Sequence, residues 1–152
     1  MLAIMTSIHA LAAVVWVGGM FFAYMALRPS VGPLEPPARV ALWARVFGKF
    51  FPWVWMAVLV LLASGFWIIL VEWGGFAAAG PHVHLMLLLG LVMMGLFGHL
   101  YFAPFKRLRA AVAANDTPTA AKQIGTIRMI VAINLVLGLV TVVVGAGGRH
   151  LG

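Results

Sequence analysis

The chain has 152 residues, 64% of them hydrophobic and 9% charged, with a formal net charge of +7, no cysteine and a mean hydropathy of +1.11. So little polar surface cannot coat a soluble globule, and the composition predicts a protein that lives in lipid. Without cysteine, disulfides, thiolate metal sites and haem attached through Cys-x-x-Cys-His are excluded.

A helix needs about 20 apolar residues to cross the hydrocarbon core, and four such runs fit the length. The first, residues 4–27, is N-terminal and hydrophobic as a secretory signal is. It lacks a basic leading segment, is too long, and carries His9 and Trp16, so it is read as a true span. The first connection follows. Within it Ala38 to Phe50 places Val40, Trp43, Phe47 and Phe50 at helical spacing, which predicts an amphipathic segment lying on the membrane surface.

The second span is read over residues 52–71, with Pro52 as its first helical residue and Trp53, Trp55, Trp67 and Trp73 toward its ends as aromatic belts. A glycine-rich link, Gly74 to Gly80, leads to the third span, residues 81–105. Asn115-Asp116-Thr117-Pro118 reads as a helix stop, a cap and a restart before the fourth span, residues 128–146. The expected fold is an all-α, integral membrane four-helix bundle in one domain, 1–152, with the amphipathic segment between helices 1 and 2.

Charge orients this bundle. Arg28, Arg39, Arg45 and Lys49 lie in the first connection and Lys106, Arg107, Arg109, Lys122 and Arg128 in the third, whereas the second holds only Glu72. Nine of the ten basic residues therefore fall on one side, with Arg149 in the tail. The positive-inside rule makes that side cytoplasmic and puts both termini outside, in a bacterial inner (plasma) membrane. The basic excess attracts anionic lipid heads of the bilayer, and nucleic acid is not an expected partner.

Candidate chemistry centres on histidine, because an ionisable side chain inside a span marks function by default. His9 opens the first run, His82 and His84 open the third, and His99 lies deeper in it. At about 100° per residue, His9 shares a stripe with Ala12, Ala13, Trp16 and Met20, and His84 with Leu88, Leu91, Gly95 and His99. His82 points elsewhere, along Met86, Leu89 and Met93. This geometry predicts that His9 and His84 clamp the iron of a b-type haem, with Ala13, Trp16 and Gly95 making room for the macrocycle. His99 is read as a packing residue or a ligand to a second centre, and His82 and His150 as solvated.

A second chemistry fits other positions. Met1, Met5 and His9, and separately His82, Met86 and Met93, form ladders of thioether and imidazole, the soft set that suits Cu(I). As a metal site the candidate ligands are thus His9, His84, His82, His99, Met5 and Met86. Methionine also serves as plain packing in apolar helices. Asn134, Gly138, Thr141 and Gly145 make a small, polar stripe on the fourth span for close helix contact, and Glu72 is a candidate hydrogen-bond partner of a ligating histidine. Glycine-rich faces permit a homodimer. Paired carboxylates, a nucleophile constellation and a phosphate-binding loop are absent, so a redox carrier or metal-handling protein is favoured over a substrate-converting enzyme.

Trp16 to Phe22, Leu27-Arg28-Pro29, Phe50 to Trp55, His82 to Met86 and Val131 to Gly138 together resemble small bacterial membrane proteins of the copper resistance D (CopD) type. That resemblance implies copper handling, because larger members are linked to copper uptake across the inner membrane. A looser likeness, the early histidine followed by tryptophan and glycine, is to the HemJ type of protoporphyrinogen oxidase, without its Leu-Pro-Arg-Leu continuation. The readings rank as bis-histidine haem b for electron transfer with a quinol or redox-protein partner, then copper binding or transport, then the oxidase.

Overall fold

The computed structural model describes residues 1–148; Arg149 and His150 lie outside the described residues. Four long helices account for nearly all of it: α1 (Leu2–Ser30), α2 (Pro36–Glu72), α3 (Pro81–Ala113) and α4 (Thr117–Gly147). All four are long and apolar enough to cross a membrane, and no strand occurs among the described residues. Most of each span's surface is turned outward, and the exposed residues are themselves apolar: Leu11, Leu59, Leu88 and Val143 are each at least 59% exposed. In lipid such faces are solvated rather than stranded, so this is a membrane protein whose outer surface contacts the bilayer.

The helices run beyond the apolar runs because backbone hydrogen bonding continues where the chain leaves hydrocarbon. Three of the four carry a π-helical turn, at Ala23–Leu27, Ile68–Glu72 and Tyr101–Phe105. The first precedes Pro29 and the third contains Pro104, whose missing N–H relaxes the i→i−4 ladder into a wider one. Gly74 and Gly75, at φ of +72° and +119°, then turn the chain after α2 in a conformation that side chains with a Cβ resist. At the opposite end, Asn115 (φ +54°) stops α3, and the Asp116 carboxylate accepts a hydrogen bond of 3.1 Å from the Thr119 N–H to cap α4. Pro118 fits the first turn of α4, where no N–H is needed.

The surface-lying segment expected over residues 38–50 is not a separate element. It forms the first turns of α2, continuous through Pro52, and its apolar stripe is covered by protein: Val40, Trp43 and Phe47 are all buried. Trp43, Phe47 and Phe51 stack in sequence at 5.0 and 5.1 Å, and Phe51 meets Phe105 of α3 edge-on at 4.8 Å. Aromatic partners on a neighbouring helix outcompete the lipid interface for this stripe. Pro52 is consequently interior to α2, and Trp55 packs on Phe97 at 5.1 Å instead of marking a helix end.

Helix α4 is the hub, touching α1, α2 and α3, while α1 packs mainly on α2. The stripe of small and polar residues on α4 explains this. Asn134 is buried and its Nδ2 donates to the Met93 carbonyl of α3 at 3.1 Å, and at Gly138 an added Cβ would lie 2.8 Å from Val17 of α1 and 3.2 Å from Met93. Small residues let backbones approach, and in lipid close packing replaces the missing hydrophobic drive between helices.

Candidate metal centre

At the end where the chain starts, the hairpins α1–α2 and α3–α4 leave between them a cavity of about 630 Å3. His9 of α1 and His82 of α3 both line it, together with Met86 and Met93 of α3. No carboxylate, lysine or arginine does.

His9 is half-buried and its Nδ1 lies 2.8 Å from the Ser64 Oγ of α2. Ser64 is itself buried, and its hydroxyl proton is committed to the Val60 carbonyl at 2.6 Å. A hydroxyl has one proton, so when it goes to Val60, Ser64 accepts from His9. In that tautomer Nδ1 carries the imidazole proton and Nε2 the lone pair.

Glycines decide where these side chains can sit. A Cβ at Gly65 would come within 3.2 Å of the His9 ring, one at Gly80 within 2.8 Å of the His82 ring, and one at Gly145 within 2.8 Å of the Met86 methyl. His82 is further positioned edge-on to Trp73 at 5.8 Å. Toward the middle of the bundle lies an aromatic layer, with Trp16 edge-on to Phe97 at 6.1 Å, both only 2% exposed.

The structure does not bring His84 to His9. His84 is exposed and does not line the cavity, and the same holds for Gly95 and His99. These three share one stripe of α3, as the helical spacing requires, but that stripe faces lipid. Both faces of a membrane helix are apolar, so hydrophobic periodicity carries no information about which faces the protein. The clamp expected of His9 and His84 thus finds no cavity that both residues line. Of the other anticipated positions, Ala13 and Trp16 line the cavity beside His9, Met5 is half-buried outside it, and Met1 is exposed. Met93, the last rung of the His82–Met86–Met93 ladder, also lines the cavity.

Among the described residues no three His, Cys, Asp or Glu side chains gather closely enough to hold a metal ion. The cavity supplies two imidazoles, from His9 and His82, and two thioethers, from Met86 and Met93.

The family model of copper resistance protein D matches residues 44–147, well over half of the chain. The chain belongs to that family. The match spans most of α2 and all of α3 and α4 but not α1, so it includes Ser64, His82, Met86 and Met93 and excludes His9. No curated protein and no solved structure matches the chain.

Proposed function

We propose that this member of the copper resistance protein D family binds Cu(I) inside the membrane, in the cavity between its two hairpins, and handles it as cargo. The observation that carries this reading is the convergence of His9, His82, Met86 and Met93 on one cavity free of carboxylates. Neutral imidazole and thioether are soft donors, which suit Cu(I), whereas Ca2+, Mg2+ and other hard cations favour carboxylate ligands, and none lines this cavity. A monovalent ion also costs least to neutralise in a low-dielectric setting.

Each residue has a separate part. His9 offers Nε2, with Ser64 holding its ring. His82 offers the second imidazole from the opposite hairpin. Met86 follows one turn deeper, and Met93 about 16 Å along α3 from His82. The sequence of donors makes a descending path, from imidazole near the membrane surface to thioether near the centre. The positive-inside rule supports an orientation with the basic end cytoplasmic, so that the cavity opens toward the outer face of a bacterial inner membrane.

The test is anaerobic titration of the detergent-purified protein with Cu(I) in competition with a chromogenic chelator. One ion per chain is expected, with X-ray absorption reporting both nitrogen and sulfur neighbours. His9→Ala with His82→Ala should abolish tight binding. Protein that is isolated with a haem Soret band and takes up no Cu(I) would refute the reading.

A further inference from the structure

At the basic end of the bundle, α1, α2 and α4 enclose a second cavity of about 560 Å3. One arginine from each helix lines it: Arg28, Arg39 and Arg128. The chain has only three acidic residues, Glu35, Glu72 and Asp116, and none of them lines this cavity. Arg39 is half-buried. One of its terminal nitrogens donates to the Leu34 carbonyl at 3.2 Å, and its Nε is buried without a hydrogen-bond partner. The Arg28 guanidinium rests over the Tyr24 ring, 5.0 Å from its centre, which fixes the cation at the cavity wall.

Three guanidiniums on one partly apolar volume repel one another, and a buried, unsatisfied N–H is costly. An anion with several acceptor oxygens removes both penalties at once, and guanidinium matches phosphate by paired hydrogen bonds. The source is set by depth. Arg128 lies 11 residues into α4, next to Met129, which is 59% exposed, and Met25 on α1 is 57% exposed one turn from Arg28. Exposed apolar side chains, which acyl chains would cover, therefore stand beside the same residues that present the charges.

We propose that this cavity holds the phosphate of an anionic phospholipid at the basic end of the protein. The headgroup phosphate bridges Arg28, Arg39 and Arg128, and the acyl chains lie along the exposed faces of α1 and α4. The site is remote from the histidine cavity and independent of its metal.

Native mass spectrometry of the full chain, released from detergent with phosphatidylglycerol or phosphatidylcholine of matched chains, tests this. Phosphatidylglycerol is expected to be retained at least about tenfold better, with about fivefold lost per arginine replaced, at roughly 1 kcal/mol each. The triple variant Arg28→Gln, Arg39→Gln, Arg128→Gln should lose the preference. The triple variant Lys106→Gln, Arg107→Gln, Lys122→Gln removes the same charge outside the cavity and should keep it. The single variant Arg128→Gln, at an exposed position, repeats the test with least risk to folding. No preference in the native protein, or equal losses in the two triple variants, would overturn the proposal. So would inorganic phosphate binding the lipid-free protein as strongly as phosphatidylglycerol does.

Discussion

Replacing Ser64 by alanine tests the proposed copper site without touching a ligand. The hydroxyl accepts from His9 Nδ1 at 2.8 Å while donating to the Val60 carbonyl at 2.6 Å. Removing it takes the hydroxyl acceptor from Nδ1–H and leaves the Leu61 carbonyl as the nearby backbone alternative, at a cost of up to about 1–3 kcal/mol for a poorly satisfied polar group. The imidazole escapes that cost by turning, or by moving its proton to Nε2, and either response spoils Nε2 as a donor to copper. Outer partners of metal-binding histidines typically contribute about 10–100-fold in affinity, so Cu(I) binding should weaken by roughly 1.4–2.7 kcal/mol. Chelator competition measures the loss. Thr141→Ala serves as the control, because Thr141 lines the same cavity but bonds only the Leu137 carbonyl of its own helix, at 2.8 Å. If folded Ser64→Ala protein binds Cu(I) as the parent does, or if both variants lose equally, the assigned tautomer and the role of His9 are wrong.

Other expectations follow from particular positions. His84→Ala and His99→Ala, both on the lipid-facing stripe of α3, should leave Cu(I) affinity within about twofold in the same titration, far below the 10–100-fold effect of a ligand's partner. Gly138→Ala should destabilise the packing of α4 on α1 and α3 by about 1–3 kcal/mol, because the new methyl would lie 2.8 Å from buried Val17 and 3.2 Å from buried Met93; thermal unfolding in detergent would reveal it. Asp116 is held below the ordinary carboxylate range by its hydrogen bond from Thr119, so its capping contribution is complete above the unfolded value and disappears as pH falls through the lower folded one. Asp116→Ala should accordingly lower the melting temperature at neutral pH and lose that difference in strong acid.

The fold was legible because a membrane span is written in composition alone: four apolar runs, and basic residues gathered in two connections, suffice. Helix ends were less legible. Residues 36–51 and 106–113 are too polar to count as span, yet they extend helices because backbone bonding continues past the lipid boundary. The inward face of α3 was the hardest to read. In water, the apolar stripe would have pointed to the core; in lipid, Leu85 and Leu88 advertise the outside as readily as Met86 and Met93 advertise the inside. Information about the interior sits in the exceptions. Asn134, Gly138 and Gly145 mark the face of α4 that others approach, and the α3 residues opposite them are Met93 and Met86. Following that stripe selects His82, two residues from His84 and on another side of the helix.

Placement of the donors also bears on passage through the bilayer. Met93 sits where the cavity meets the aromatic layer, its carbonyl bound by Asn134 Nδ2 and its methyl near Gly138. Asn134 Oδ1 is buried with no partner, so one polar atom beside the deepest thioether has an unmet demand. Beyond it Trp16, Phe97, Phe51 and Phe105 interlock edge-to-face, with ring centres 4.8–6.1 Å apart along that chain. Edge contacts of this kind yield by ring rotation more readily than backbone packing does, and the π-helical turn at Tyr101–Phe105 lies in the same layer. If the cavity carries Cu(I) as proposed, what bounds it below Met93 is therefore a layer of interlocked side chains, not of helix backbones.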